Sequence, residues 1–86
     1  MQAHNQQRVT KEQRMSIQEH AAHMCHMITT HYPQQMASDL RLIEIHSRFA
    51  QIVEEPVYYS GVYGERAFDA ACNDFVDWED ALCYQS

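Results

Sequence analysis

Ile17, Ala21, Met24, Cys25 and Ile28 recur at i, i+4, i+7, i+8 and i+11. At about 100° per residue that spacing draws one apolar stripe down a helix. Thr10-Lys11-Glu12-Gln13 fits a capping box, in which the threonine hydroxyl and the Gln13 side chain each satisfy an amide that the first turn leaves orphaned. The pattern therefore predicts a helix from near Thr10. Pro33 sets its end near Thr30 or His31, because proline lacks an N–H and disfavours helical backbone before it. Residues 1–9 carry no period and read as a flexible segment ahead of a single domain over 10–86.

A second helix is predicted from about residue 35 to residue 54, stopping before Pro56. Met36, Leu40, Ile43 and Ala50 fall on one face, Leu42, Phe49 and Val53 on another, and Ile45 and Ile52 further round. Only Arg41, Glu44, Arg48 and Gln51 form a polar strip. The apolar arc is then roughly 240° wide, far beyond the stripe of about 100° on an ordinary surface helix. Two neighbouring helices cover only part of it. A second copy of the chain covers the rest, so the pattern predicts a homodimer through Leu42, Ile45, Phe49, Ile52 and Val53. The competing reading is a central helix in a monomer, with the loop at 56–63 folded over it.

A third helix is predicted over about residues 65–84. Phe68, Ala71, Cys72, Phe75, Trp78 and Leu82 share one face, while Asp69, Asp74, Asp77 and Asp80 lie mostly opposite. The stretch PVYYSGVYG between the second and third helices reads as a tight turn or a short hairpin. The fold class is all-α: a small bundle of three antiparallel helices, with an αα-hairpin across residues 31–35.

Composition narrows what such a bundle does. At 86 residues and 45% apolar the chain is one globular domain, and a domain this short buries only about 60% of its unfolded surface. Acids outnumber bases 12 to 6, giving a formal charge of −6. The single Lys and five Arg do not cluster, so the positive footprint of a nucleic-acid binder is missing. No run of 18 apolar residues predicts a membrane span, and MQAHNQQRVT lacks the apolar core of a secretory signal. Cys25, Cys72 and Cys83 are odd in number and lack C-x-x-C spacing, which favours reduced thiols and a cytoplasmic setting.

Candidate chemistry is sparse. His20, His23 and His26 surround Cys25, with His31 further on. Imidazole and thiolate are borderline-soft metal ligands, so a metal-binding or metal-responsive protein is the alternative function. Helical metal sites use histidines at i, i+4, whose side chains project in parallel, and no such pair occurs here. Cys25 and Cys72 read as small buried apolar residues, since Cys25 and His26 at i, i+1 do not face each other on a helix. Glu54-Glu55 and Glu79-Asp80 look solvated rather than tuned for proton transfer. Gly61 and Gly64 lack the spacing of a phosphate loop. Neither a catalytic constellation nor a cofactor is expected.

The expected function is non-enzymatic: a small acidic protein-binding module that docks on and modulates a larger protein. By size and charge alone this is the profile of phage and plasmid accessory or inhibitor proteins. Tyr58, Tyr59 and Tyr63 supply aromatics of the kind found at interface hot spots. Asp69, Asp77 and Asp80 supply steering towards a basic partner, including one whose basic surface otherwise holds nucleic acid. Solubility alone is the plainer account of those acids.

Overall fold

The computed structural model describes residues 16–85. The sequence turns helical at α1, Ile17–His31, where Ser16 accepts from the Glu19 N–H at 3.1 Å and the Glu19 carboxylate accepts from the Ser16 N–H at 2.9 Å. This reciprocal cap satisfies two orphan amides. The box expected at Thr10–Gln13 lies outside the described residues, as does the segment 1–9.

The predicted second helix is two helices. A short α2, Pro33–Ser38, begins with proline at its first position, where a missing N–H costs nothing. Asp39 then leaves the helix in extended backbone and caps α3, Leu40–Glu54, its Oδ1 accepting from Arg41 N–H at 3.0 Å and Leu42 N–H at 3.1 Å. The third predicted helix is α4, Gly61–Gln85, four residues longer at its start than the pattern suggested. The tyrosine stretch is a turn over residues 56–59 running into α4, not a hairpin. No strand occurs among the described residues.

Three cross-links give the directions. Gln18, at the start of α1, donates to the Tyr59 carbonyl just before α4. Tyr32, at the other end of α1, donates to Glu79 late in α4. Trp78 of α4 donates to Asp39 at the head of α3. The long helices therefore run α1 up, α3 down, α4 up, with α2 as the corner.

The core is Ala21 and Ile28 of α1, Leu42, Ile45, Phe49 and Ile52 of α3, and Ala71, Phe75 and Trp78 of α4. The α3 and α4 sets repeat at alternating three- and four-residue steps, the seam of a coiled-coil-like bundle. This bears on the residues named for the dimer. Leu42 and Phe49 are 0% exposed, and Ile45 and Ile52 1%, inside a single chain; Val53 packs partly buried against them. Leu42, Ile45, Phe49 and Ile52 thus have almost no surface to offer a second copy, whereas Val53 keeps part of its own. The 240° arc was inflated in two ways. Met36 belongs to a different helix, and Leu40 in the first turn of α3 is 79% exposed. Leu42, Ile45, Phe49 and Ile52 form the seam that α1 and α4 cover, and Ile43, Ala50 and Val53 are half-buried beside it. Among the described residues no helix is long and apolar enough to cross a membrane.

Candidate protein-docking surface

α4 has 25 residues against 15 in each of α1 and α3. At about 1.5 Å per residue it outruns its partners by roughly 15 Å. That mismatch leaves apolar side chains uncovered at its two ends: Val62 and Tyr63 at one, Tyr84 at the other.

At the first end the turn and the start of α4 build an aromatic cluster. Tyr58 stands edge-on to Tyr59 at 4.9 Å between ring centroids and to Tyr63 at 5.2 Å, and Tyr59 stacks on Tyr63 at 5.5 Å. Such offset and edge contacts are the favoured aromatic geometries. Tyr58 is 61% exposed and Tyr63 52%, with Val57 and Val62 beside them in sequence also open to solvent. The Tyr63 hydroxyl donates to that of Tyr58 at 3.4 Å, a contact that raises the Tyr63 pKa above its ordinary value. Tyr59 is half-buried and ties the cluster down. Its hydroxyl donates to Gln51 at 3.2 Å, and its carbonyl accepts from Gln18 at 3.1 Å. Gly64 permits the approach, since a Cβ there would sit 2.2 Å from the Tyr59 carbonyl oxygen. Gly61 adopts a φ of 61°, a left-handed backbone that glycine takes without strain. The tyrosines are thus held on a fixed support.

The acids of α4 fall into two groups. Asp74 pairs with Arg48, and Glu79 accepts from Tyr32 at 2.6 Å. These are structural links to α3 and α1. The Glu79 contact, together with burial, pushes the Tyr32 pKa up to about 12. Asp69, Asp77 and Asp80 are exposed and share an outward stripe. On an ideal helix the stripe spans about 16 Å and roughly 80° of arc, and lies from about 40° (Asp77) to about 120° (Asp69) round from Tyr63. The structure thus brings Tyr58, Tyr59 and Tyr63 together, while Asp69, Asp77 and Asp80 are strung along the exposed side of the same helix. Nearer the tyrosines in sequence are exposed Glu54, Glu55 and Glu65, with no base between Arg48 and Arg66.

The metal candidates do not converge. His20 lies tilted over Phe68 at 5.8 Å, His23 is exposed, and His26 faces Thr30 at 3.5 Å on its own helix. No group of three His, Cys, Asp or Glu side chains able to hold a metal ion occurs among the described residues. A hollow of about 260 Å³ between α1 and α3 is lined by Ala22, Cys25, His46, Ala50, Val53 and Glu54. Its thiol contacts the backbone carbonyl of His46, not the imidazole, at 3.9 Å. Burial, and then the charge of Glu54, push the Cys25 pKa up. Burial followed by Asp69 does the same for Cys72. An activated thiol needs the reverse. No protein-family model, curated protein or solved structure matches this chain.

Proposed function

We propose that this chain is a non-enzymatic protein-binding module, an accessory or inhibitor protein that docks on a basic surface of a larger protein. The observation that carries the reading is the exposed Tyr58–Tyr63 cluster, fixed from beneath by Tyr59 and Gly64, in a stretch of sequence whose only charged side chains between Arg48 and Arg66 are glutamates. Tyrosine offers large, stiff contact area at low entropic cost. Its ring face also attracts Lys and Arg side chains, Arg more often. Those acids and the overall charge of −6 steer such a partner in and disfavour acidic ones. Asp69, Asp77 and Asp80 act as the steering stripe, and Tyr58 and Tyr63 as the anchors.

The test is affinity capture with wild type, with Tyr58→Ser/Tyr63→Ser, and with Asp69→Asn/Asp77→Asn/Asp80→Asn. All these side chains are exposed, apart from the supporting Tyr59, which is left in place. Circular dichroism and melting of the variants should match wild type. A protein held by wild type and lost with the tyrosine pair supports the reading; one held equally by all three forms overturns it. Homodimerisation competes for the same apolar surface at the ends of α4, and a solution mass of about 20 kDa, abolished by the tyrosine pair, would assign the cluster to a second copy.

A further inference from the structure

We propose that Tyr58 and Tyr63 form an oxidation site, at which a peroxide-driven one-electron oxidant joins the two rings by a carbon–carbon bond within one chain, as dityrosine. The inference stands apart from the docking function. Its basis is the way the two rings meet. Their centroids are 5.2 Å apart and their hydroxyl oxygens 3.4 Å, so the rings converge at their hydroxyl ends. A tyrosine that loses an electron and a proton becomes a phenoxyl radical, with its unpaired spin on the oxygen and on the carbons ortho and para to it. The para carbon carries the side chain. The ortho carbons are the ones free to couple, and they flank the hydroxyl at the convergent end.

The electron balance is simple. The two phenols give up two electrons and two protons, and one hydrogen peroxide takes up both and becomes two waters. The radicals pair at an ortho carbon of each ring, and the hydrogen on each of those carbons then moves to oxygen, which restores both phenols. Access and support suit this step. Tyr58 is 61% exposed and Tyr63 52%, so an oxidant reaches both. Exposed side chains reorient in picoseconds to nanoseconds, which lets rings standing at 74° turn to face each other. The backbone beneath them is held by the Gln18 and Gln51 contacts to Tyr59 and by the close approach at Gly64. Rings kept side by side combine in preference to rings that must first diffuse together from separate chains. Tyr59 stacks on Tyr63 at 5.5 Å, but it is half-buried and its hydroxyl donates to Gln51. Tyr84, 92% exposed, has no ring contact among the described residues.

The experiment treats the full chain, at high dilution, with a haem peroxidase and hydrogen peroxide, and isolates the monomer under denaturing conditions. The monomer should carry dityrosine fluorescence, with a yield per chain that does not change on further dilution. Tyr58→Phe and Tyr63→Phe should each remove that signal, and Tyr84→Phe should leave it. Trypsin cuts after Arg48 and Arg66, so residues 49–66 form one peptide that holds Tyr58, Tyr59 and Tyr63 and no Cys, Met or Trp. In the mass spectrum this peptide should be lighter by two hydrogens. A bond from Tyr58 to Tyr63 closes a ring, so a single backbone break between Tyr58 and Tyr59 should release no fragment. A monomer without dityrosine overturns the proposal. So does a signal that falls on dilution, which would place the bond between chains, or a lighter peptide that fragments between Tyr58 and Tyr59, which would place it on Tyr59.

Discussion

Asp39 ties the head of α3 to α4 with a single carboxylate. One carboxylate oxygen caps α3 through the amides of Arg41 and Leu42, and the other accepts the Trp78 indole N–H at 2.9 Å. The Trp78 hydrogen bond, then the backbone bond from Leu42, hold its pKa below the ordinary carboxylate value. Asp39→Ala loses the cap, worth about 1 kcal/mol, and leaves the buried indole without a partner. A loss of roughly 2 kcal/mol should lower the melting temperature by about 10 °C in a domain of this size. Asp39→Asn keeps a good cap and an acceptor, so it should recover most of that loss. A carboxylate with a depressed folded pKa adds stability above its unfolded value of about 3.9 and loses it as pH falls through the folded value. Wild type should therefore lose stability below about pH 4 by an increment that Asp39→Asn lacks. Tyr32 acts at the opposite end of the scale. Its raised pKa adds stability below about pH 10 that disappears as pH climbs through about 12. Gly64→Ala sets a Cβ against the Tyr59 backbone carbonyl, which cannot swing aside as a side chain would. Thermal denaturation should show a clear loss of stability, and the Tyr59 resonances should shift. An alanine variant as stable as wild type would remove the close approach from the account. The thiols divide by environment too: Cys83 is exposed while Cys25 and Cys72 are half-buried with raised pKa values. Alkylation near neutral pH should label Cys83 first.

At the scale of elements, the register of α3 is the feature to test. Leu42, Ile45, Phe49 and Ile52 form its sealed seam, and Leu40 stands outside it. Phe49→Ala should cost about 3–5 kcal/mol, a large share of what a small domain has. Leu40→Ser should change the melting midpoint little. Equal effects would restore the wide apolar arc and the dimer that went with it. The sequence pattern made α1 and α4 legible because their stripes are narrow and end at Pro33 or at polar residues. It hid the break at Asp39 because Met36, Leu40 and Ile43 keep helical spacing straight through it, so periodicity alone reported one helix where a capping aspartate makes two. The tyrosines were visible as composition. Their clustering was not, because it depends on contacts far apart in sequence, Gln18 with Tyr59 and Gln51 with Tyr59, and on the missing Cβ of Gly64. The division of acids into structural Asp74 and Glu79 and outward Asp69, Asp77 and Asp80 was equally hidden, since partner side chains on α1 and α3 decide it.

At the scale of the whole molecule, a bundle that seals its own core leaves two surfaces unspent: an aromatic end and an acidic flank. They have different kinetic signatures. Exposed charges act over a screening length and govern encounter, whereas buried anchors govern residence time. Neutralising Asp69, Asp77 and Asp80 should therefore slow association with the captured partner and flatten its salt dependence, with little change in dissociation. The most direct measurement is the dissociation rate of that complex for wild type and for Tyr58→Ser/Tyr63→Ser. Loss of an anchor worth about 2 kcal/mol predicts dissociation roughly thirtyfold faster in the variant. A variant complex that dissociates as slowly as wild type would contradict a partner seated on the tyrosines.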